Sequence, residues 1–552
     1  MIDLAKTFQT LNMPPSRYVT FYAVPIVAVG IVLALLVPRL VAPLLPEFVA
    51  PLVPILLVAF AAGVAILLPV SLADRKRAEI NNAIPFFMTH FGVLSTSNIP
   101  RAEIIRILGE KKEYNALADE MQRIYSLVSN WNLSLPQACR FVSKTTPSNI
   151  LADFLERLAH ALETGQDLEV FLRNEQSVVM KEYATVYETS IYQLEGMKDL
   201  YLSTMMSGVF LVIFAIITPL LTGIDPSQLL VGILFLFFFL EVLFLFMLQS
   251  RAPSDRLWHR LDIVTKERNQ IQLLVTGGAA AAIVMFFLLP RLLDVPVGLA
   301  LAVAVTPMAA AGLFAETVEA RVKRREDNYA AFVRSLGSSL AAKGGSLREV
   351  LKKLMAHNFG PLTTQVHNLF ARLTWRLHDV LAWKHFSAES GSNLIEKFNA
   401  MFIEGIRAGG KPQAVGEIIS TNVTRILNLR KSRYGTAGTF RRLMLGFTAG
   451  MAFTLFIGIG MLDVLNSLFG LASVPTTLVP IHLTIDVDTS GIEEMLFFLL
   501  VFHALAAAVM LKLVDGGDWS ASFVNFVAMV WIAVLISYAS KAVMGGIFTF
   551  AG

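Results

Sequence analysis

The feature that most constrains this chain is a series of nine apolar stretches, each long enough to cross a membrane as a helix. A membrane-spanning helix needs about 20 predominantly apolar residues, because the hydrocarbon core is about 30 Å thick. The stretches are residues 18–37, 48–72, 201–221, 229–249, 272–289, 295–314, 443–465, 495–514 and 521–542. Only 16% of the 552 residues are charged, which excludes one large soluble fold. We therefore predict an all-α, polytopic membrane protein with about nine spans.

The distribution of basic residues predicts the orientation. The first stretch follows only Lys6 and Arg17 and precedes no small-residue cleavage site, so we expect a retained anchor. If residue 1 is cytoplasmic, 43 of the 46 Lys and Arg lie in cytoplasmic segments, and only Arg39, Arg291 and Lys541 lie outside. We thus expect both large hydrophilic regions in the cytoplasm and the C-terminus outside.

The chain divides into five predicted segments. Residues 1–72 hold the N-terminal segment and two spans; residues 73–199 (module 1) form a cytoplasmic helical bundle; residues 200–315 hold four spans and the short basic loop 250–271; residues 316–442 (module 2) form a second, basic bundle; and residues 443–552 hold three spans with an outside loop at 466–494. The modules carry most of the charge, so we expect them to carry the function.

The two modules are predicted to be copies of one unit. Trp131 matches Trp375 and Phe154 matches Phe398 at a constant offset of 244, as do the pairs Ser148-Asn149 and Ser392-Asn393. Gly165 matches Gly409 at the same offset, whereas Phe87 and Gly92 match Phe332 and Gly337 at 245. This coincidence of rare residue types indicates an internal duplication.

Helix-end signals occur at equivalent places in both copies. Gly165 and Gly409 each follow an amphipathic run, where a left-handed C-terminal turn favours a residue without Cβ. Within module 2, the segments 346–349 and 393–396 have the spacing of a capping box, which predicts helix starts at Ser346 and Asn393. The one strand-like segment is residues 476–487, in the outside loop.

Two helical bundles of this kind, each directly preceding a span, resemble the GspF/PilC family, the platform proteins of type II secretion and type IV pili. The resemblance rests on the Phe-x4-Gly pattern at Phe87 and Phe332 and on the helix ends at Gly165 and Gly409. The additional paired spans resemble the archaeal branch, the archaellum assembly platforms, although archaeal adhesion-pilus platforms share this layout.

The resemblance implies a non-enzymatic platform without a cofactor. Its implied partners are a cytoplasmic secretion or motor ATPase hexamer, accessory cytoplasmic motor proteins, pilin or archaellin subunits, membrane lipid and a second copy of the chain. It implies that the chain couples ATP hydrolysis by the ATPase to filament assembly, and to rotation if the filament is an archaellum.

Enzyme signatures are weak in this sequence. Residues 405–411 fit the start of a phosphate-binding loop, but Pro412 stands where Ser or Thr must hold magnesium, and a helix precedes the loop instead of a strand. Asp515 and Asp518 resemble an intramembrane aspartyl peptidase motif but lack its glycine, so we interpret them as a solvated turn. The single cysteine, Cys139, excludes a disulfide framework and a Cys-rich metal site.

Glu241 and His503 are ionisable residues inside predicted spans. A carboxylate in mid-span is costly, so Glu241 is a candidate for subunit contact or coupling, or else is neutral and paired with a Ser or a backbone carbonyl. For His503 we favour a hydrogen bond to a neighbouring helix. Gly446 and Gly450 have a spacing that lets two helices approach closely, either within one chain or across a dimer.

Charge separates the two copies. Module 1 has 14 basic and 17 acidic residues, whereas module 2 has 21 and 10, a net charge of +11. Such a field attracts an acidic partner surface, although basic residues beside spans also serve the lipid headgroups. We predict that module 2 docks the ATPase through Arg348, Lys352, Lys353, Arg407, Arg430, Lys431 and Arg433.

The sequence favours two other classes of function less. Nucleic acid is a poor partner, because the chain lacks the stacking aromatics and strand platforms of such sites. A secondary transporter remains the alternative of another class. It needs polar groups near the membrane midplane, where Glu241 is almost the only charge.

Overall fold

The structure is a computed structural model that describes residue 8 and residues 14–41, 52–217, 226–253, 255–292, 295–343, 347–471 and 489–549. Within these ranges the regular elements are helices, apart from an isolated antiparallel bridge between Trp258 and Ser392. The all-α prediction is confirmed. The strand-like segment 476–487 lies outside the described residues.

The main helices follow in chain order. They are α1 Val24–Val41, α2 Leu52–Ser95, α3 Arg101–Gly109, α4 Ala116–Trp131, α5 Leu135–Ser143, α6 Asn149–Glu163, α7 Leu168–Ile217, α8 Pro226–Arg251, α9 Lys266–Leu292, α10 Val297–Lys343, α11 Leu347–Leu354, α12 Thr363–Thr374, α13 Asp379–Ser390, α14 Asn393–Arg407, α15 Pro412–Leu471, α16 Thr489–Asp515 and α17 Ser522–Thr549. A helical turn, Pro15–Tyr18, and a π-helical stretch, Val19–Ala23, precede α1. Short 3-10 turns occur at Lys112–Tyr114, Gly360–Leu362 and Trp519–Ala521.

Eight helices in the described ranges are long and apolar enough to cross a membrane. They coincide with eight of the nine predicted spans. The other predicted span, residues 48–72, begins outside the described residues and continues as the first part of α2.

Four helices run without a break from a module into a predicted span. They are α2, α7, α10 and α15, with 44, 50, 47 and 60 residues. At 1.5 Å per residue, α15 is about 90 Å long. The predicted boundaries at 72/73, 199/200, 315/316 and 442/443 therefore fall inside continuous helices. Each module is entered by one such helix and left by another.

Module 1 has a buried serine at the start of α6. The Ser148 hydroxyl accepts the backbone N–H of Leu151 at 3.2 Å and so caps the helix. It also donates to Asn81 Oδ1 at 2.6 Å, which ties the start of α6 to α2.

Module 2 repeats this arrangement at the start of α14. The Ser392 hydroxyl accepts the N–H of Ile395 at 3.1 Å and donates to Glu326 Oε1 at 2.5 Å. Ser392, not Asn393, is therefore the cap, one residue before the predicted position. Glu326 follows Asn81 at the offset of 245, so the duplication also holds for the contact.

The aromatic cores of the modules also correspond. Phe87 and Phe332 are both fully buried. Phe87 packs edge-on against Tyr114 and Phe154, and Phe332 packs edge-on against Phe359. The Phe of the Phe-x4-Gly pattern is thus a core residue in each copy.

The chain forms two compact units. Unit 1 is Met1–Ala184 with Met401–Asn422, and unit 2 is Thr185–Ala400 with Val423–Gly552. Within unit 1, Asn422 Nδ2 donates to Thr89 Oγ1 at 2.9 Å, and a Cβ on Gly405 would lie 2.3 Å from Val93. The end of α14 and the start of α15 therefore pack in unit 1, although the predicted segment 316–442 assigned them to module 2.

Candidate functional site

Four buried polar side chains from four helices meet in unit 2. Glu241 of α8 lies 2.7 Å from His503 Nδ1 of α16, measured from Oε1. Tyr201 of α7 donates to the Glu241 carboxylate, at 2.9 Å from Oε1 and 3.0 Å from Oε2. Thr448 of α15 lies 3.3 Å from His503 Nε2. All four side chains are 0% exposed, and we call them the membrane cluster.

The members of the membrane cluster supply one another with hydrogen-bond partners. The Thr448 hydroxyl also donates to the Met444 carbonyl at 2.8 Å, within its own helix. Such pairing matters here because a buried polar group without a partner is costly in an apolar interior.

Aromatic rings enclose this cluster. Phe244 packs edge-on against Tyr201 at 5.2 Å between ring centroids, and Phe447 packs edge-on against His503 at 5.4 Å. Glu241 is thus paired, but with His503 and Tyr201 and not with the Ser or backbone carbonyl that the sequence suggested. The predicted bond from His503 to neighbouring helices is also present. Tyr201 had no signal in the sequence beyond its place at the start of a span.

A second polar network lies at the junction between module 2 and the spans. Its centre is the strap, residues 255–265, which connects α8 to α9. Arg433 of α15 lies 3.3 Å from Asp255 of the strap, measured from Nη1 to Oδ2. The same guanidinium donates to the carbonyls of Val514 and Leu513 at 2.6 and 2.9 Å, and so caps the C-terminal end of α16.

Arg430 joins the strap to α10. Its Nη1 lies 3.1 and 3.2 Å from the two oxygens of Glu326, and its Nη2 lies 3.8 Å from Asp255. Burial lowers the pKa of the Arg430 guanidinium, but the charges of Glu326 and Asp255 outweigh it and raise the pKa above its usual range. Burial likewise raises the pKa of Asp255, whereas Arg430 and Arg433 hold the net pKa below its ordinary value. Arg430 and Asp255 therefore stay ionised near neutral pH.

The strap also pairs with the start of α14 through its backbone. Asn393 N–H donates to the Leu257 carbonyl at 2.8 Å, and Glu396 accepts the N–H of Arg260 at 2.8 Å. Asp255 and Glu326 were not predicted as site residues. The replacement of Asn81 by Glu326 between the two copies was the signal that could have identified the second.

Further ion pairs join α10 to α16. Lys512 Nζ lies 2.7 Å from Glu319 Oε2 and 3.0 Å from Asp515 Oδ2, and Lys323 Nζ lies 3.0 Å from Glu319 Oε1. They border a cavity of about 240 Å³ between α10, α15, α16 and α17. Asp515 was interpreted as part of a solvated turn, but it is held by Lys512. Asp518 caps the following turn through the N–H of Ser520, at 2.8 Å.

The predicted docking residues separate into two groups. Arg348, Lys352, Lys353, Arg407 and Lys431 are exposed, and Lys431 lies 3.1 Å from Asp327. Arg430 and Arg433 are only 4% and 2% exposed. Arg430 is ion-paired with Glu326 and Asp255, and Arg433 is held by Asp255 and two backbone carbonyls, so neither belongs to a docking surface.

The predicted glycine positions also separate. Gly165 and Gly409 have φ values of +73° and +82°, as the helix-ending turns require. The second of these turns ends α14, so residues 405–411 have helix-end geometry, as the sequence favoured. Gly446 and Gly450 lie on an exposed face of α15, where an added Cβ would meet no described atom within 4 Å. They therefore do not bring described helices of the chain together.

Known proteins match this chain over nearly its full length. A flagella accessory protein J of Methanococcus voltae is 35% identical over 492 residues, which cover 87% of this chain and 88% of the relative. One from Methanocaldococcus jannaschii is 33% identical over 548 residues, which cover 97% of this chain and 96% of the relative. The chain belongs to the flagella accessory protein J family.

The family model described as type II secretion system (T2SS), protein F, matches residues 87–216. The resemblance to the GspF/PilC family and to its archaellum branch is therefore confirmed. The match covers most of module 1 and α7, and thus includes Tyr201 but no other member of the membrane cluster. No solved structure matches the chain significantly.

Proposed function

We propose that the chain is the membrane platform of a type IV pilus-like machine of the archaellum kind, coupling a cytoplasmic secretion ATPase to filament assembly. The single observation that carries this proposal is its similarity to two flagella accessory proteins over 87% and 97% of its length. Adhesion-pilus and type II secretion platforms are the alternatives within the same class. The chain itself performs no catalytic step in this proposal.

The helices support a mechanical role. A helix is a stiff rod, so a displacement at the module end of α15 reaches its membrane end about 90 Å away. Arg433 and Arg430, ten or more residues before the predicted span, tie this rod to the strap and to α16. Movement of module 2 would thus displace several membrane helices together.

The proposed partners follow from this role. The motor ATPase hexamer and accessory motor proteins act on the modules from the cytoplasm, where the N-terminus also lies. Pilin or archaellin subunits and lipid contact the spans, the C-terminus is outside, and the chain works as a homodimer. If the filament is an archaellum, the same displacement contributes to its rotation.

Charge reversal tests the docking of the ATPase. The full chain in lipid nanodiscs should capture the hexamer of its own host at low salt, with weaker capture at high salt. Reversal of Arg348, Lys352, Lys353, Arg407 and Lys431 should weaken capture about tenfold or more at low salt, because these exposed charges speed encounter. Reversal of Arg173, which is exposed on α7, is the matched control. Failure of the wild-type chain to capture the ATPase would contradict the proposal.

The membrane cluster supplies the buried polar groups within the spans that a transporter would need. Its side chains are fully enclosed, however, whereas a transport site must open to water on alternate sides. Solute or proton uptake by vesicles that contain the chain, abolished by Glu241→Gln, would favour the transporter instead.

A further inference from the structure

Two tryptophans at equivalent positions of the copies are strongly exposed. Trp131 ends α4 and Trp375 directly follows α12, at the constant offset of 244. Their side chains are 73% and 87% exposed. Large aromatic side chains are more often buried, as Trp383 is in the core of module 2.

Each tryptophan is followed by a residue in the left-handed conformation. The residues that follow them, Asn132 and Arg376, have φ values of 53° and 59°. In the described part of the chain only three non-glycine residues have positive φ, and these are two of them. Arginine, unlike glycine or asparagine, has no special tendency toward positive φ. The turn in module 2 therefore persists although the backbone preference of Arg376 opposes it.

The turns are closed by hydrogen bonds to the preceding helices. The N–H of Leu133 donates to the Leu127 carbonyl at 3.2 Å, and the N–H of Leu377 donates to the Arg372 carbonyl at 3.1 Å. These bonds involve the backbone, and the strong exposure of both indoles shows that the turns do not require the rings. Single exposed apolar residues are common on proteins, but here the same rare residue is exposed in both copies although their charges have diverged.

The surroundings of the two indoles differ in charge. Trp375 is flanked by exposed Arg376 and His378, whereas Trp131 is flanked by exposed Asn130 and Asn132. Insertion into an anionic membrane surface favours cations around the aromatic residue, and Trp131 has none beside it in the sequence. The feature shared by the two sites is the indole itself, which fits a protein pocket better than a lipid surface.

We propose that Trp131 and Trp375 are duplicated docking knobs, each inserting into a pocket on the cytoplasmic partner. A partner built from identical subunits offers the same pocket several times, so one pocket type accepts both knobs. The hexameric ATPase is such a partner, and the inference therefore rests on the proposed function. Tryptophan is the residue most enriched at the energetic centres of interfaces, where it fills a desolvated pocket.

The experiment measures capture of the purified ATPase hexamer by the full chain in lipid nanodiscs. The variants are Trp131→Ala, Trp375→Ala and the double variant, with Tyr192→Ala as control, because Tyr192 is 76% exposed on α7. We expect each single variant to weaken capture about 30-fold and the double variant to abolish it. The control should bind as the wild-type chain does.

The outcomes distinguish this inference from the proposed function. If the wild-type chain captures the ATPase and the tryptophan variants capture it equally well, the knobs are refuted while the platform role stands. If the wild-type chain captures no ATPase, both proposals fail. A blue shift of tryptophan fluorescence on addition of anionic vesicles, lost in Trp375→Ala, would show that the indole inserts into a lipid surface. That result would overturn the proposed protein pocket.

Discussion

Glu241 and His503 are 262 residues apart in the chain, yet Glu241 Oε1 lies 2.7 Å from His503 Nδ1. The pair is linked to α7 through Tyr201 and to α15 through Thr448. It therefore joins four membrane helices. A static joint of this kind suits the proposed role, in which several membrane helices move together.

Removal of His503 should be severe because it leaves a buried carboxyl without its partner. We expect His503→Leu to destabilise the chain by about 3–5 kcal/mol, whereas Glu241→Leu/His503→Leu should recover most of that loss. Tyr201→Phe removes one bond and should cost about 1–3 kcal/mol. Thermal unfolding in detergent measures all three. A double variant no more stable than His503→Leu would contradict the pairing.

Arg430 and Lys431 are neighbours in sequence with opposite surroundings. Arg430→Leu leaves the buried Glu326 without this ion-pair partner and removes one of the two cations beside the partly exposed Asp255, so we expect a loss of about 3–5 kcal/mol. Lys431→Leu removes an exposed ion pair with Asp327 and should cost less than about 1 kcal/mol. Unfolding curves of the two variants give the comparison, and equal effects would argue against the network at the strap.

Glu404 should make unit 1 sensitive to acid. Burial raises its pKa, but hydrogen bonds and charge from His90 and Lys111 outweigh this and lower the pKa from 4.5 to about 2. The folded state thus binds the proton more weakly than the unfolded state. The stabilisation is complete above pH 4.5 and is lost as the pH falls toward 2.

The matched variants test this titration. Glu404→Gln should be less stable than the wild-type chain at neutral pH, and the difference should shrink below pH 4.5. Glu110→Gln, which removes an exposed carboxylate, is the control. Hydrogen exchange of unit 1 as a function of pH measures both. A difference that stays constant down to pH 3 would show that the carboxylate charge plays no part.

Gly446 and Gly450 should matter for self-association and little for the fold. An added side chain at either position meets no described atom of the chain within 4 Å. We expect Gly446→Leu and Gly450→Leu to fold normally but to weaken the proposed homodimer, which cross-linking in membranes can measure. Gly278→Leu is the contrasting variant, because Pro307 lies within 3.2 Å of the new Cβ and the fold itself should suffer. Unchanged dimerisation of the Gly446 and Gly450 variants would show that the dimer interface lies elsewhere on the chain.

The sequence determined the features that depend on local physics. Apolar runs of about 20 residues predict membrane helices because unpaired backbone groups are too costly in lipid, and eight spans in the described ranges agree. Gly165 and Gly409 were predictable because their turns need positive φ. The matching Trp, Ser and Phe positions revealed the duplication without a structure.

The tertiary structure decided which charged side chains are exposed to solvent and which are buried in ion pairs. Arg430 and Lys431 look equivalent in sequence, but the side of a helix that faces a buried partner depends on packing between segments distant in the chain. Glu241 and His503 were each identifiable as anomalies, whereas their pairing depends on how α8 and α16 pack. The placement of Met401–Asn422 in unit 1 has the same cause. Such contacts depend on the sum of many packing interactions between distant segments, and no single stretch of sequence determines that sum.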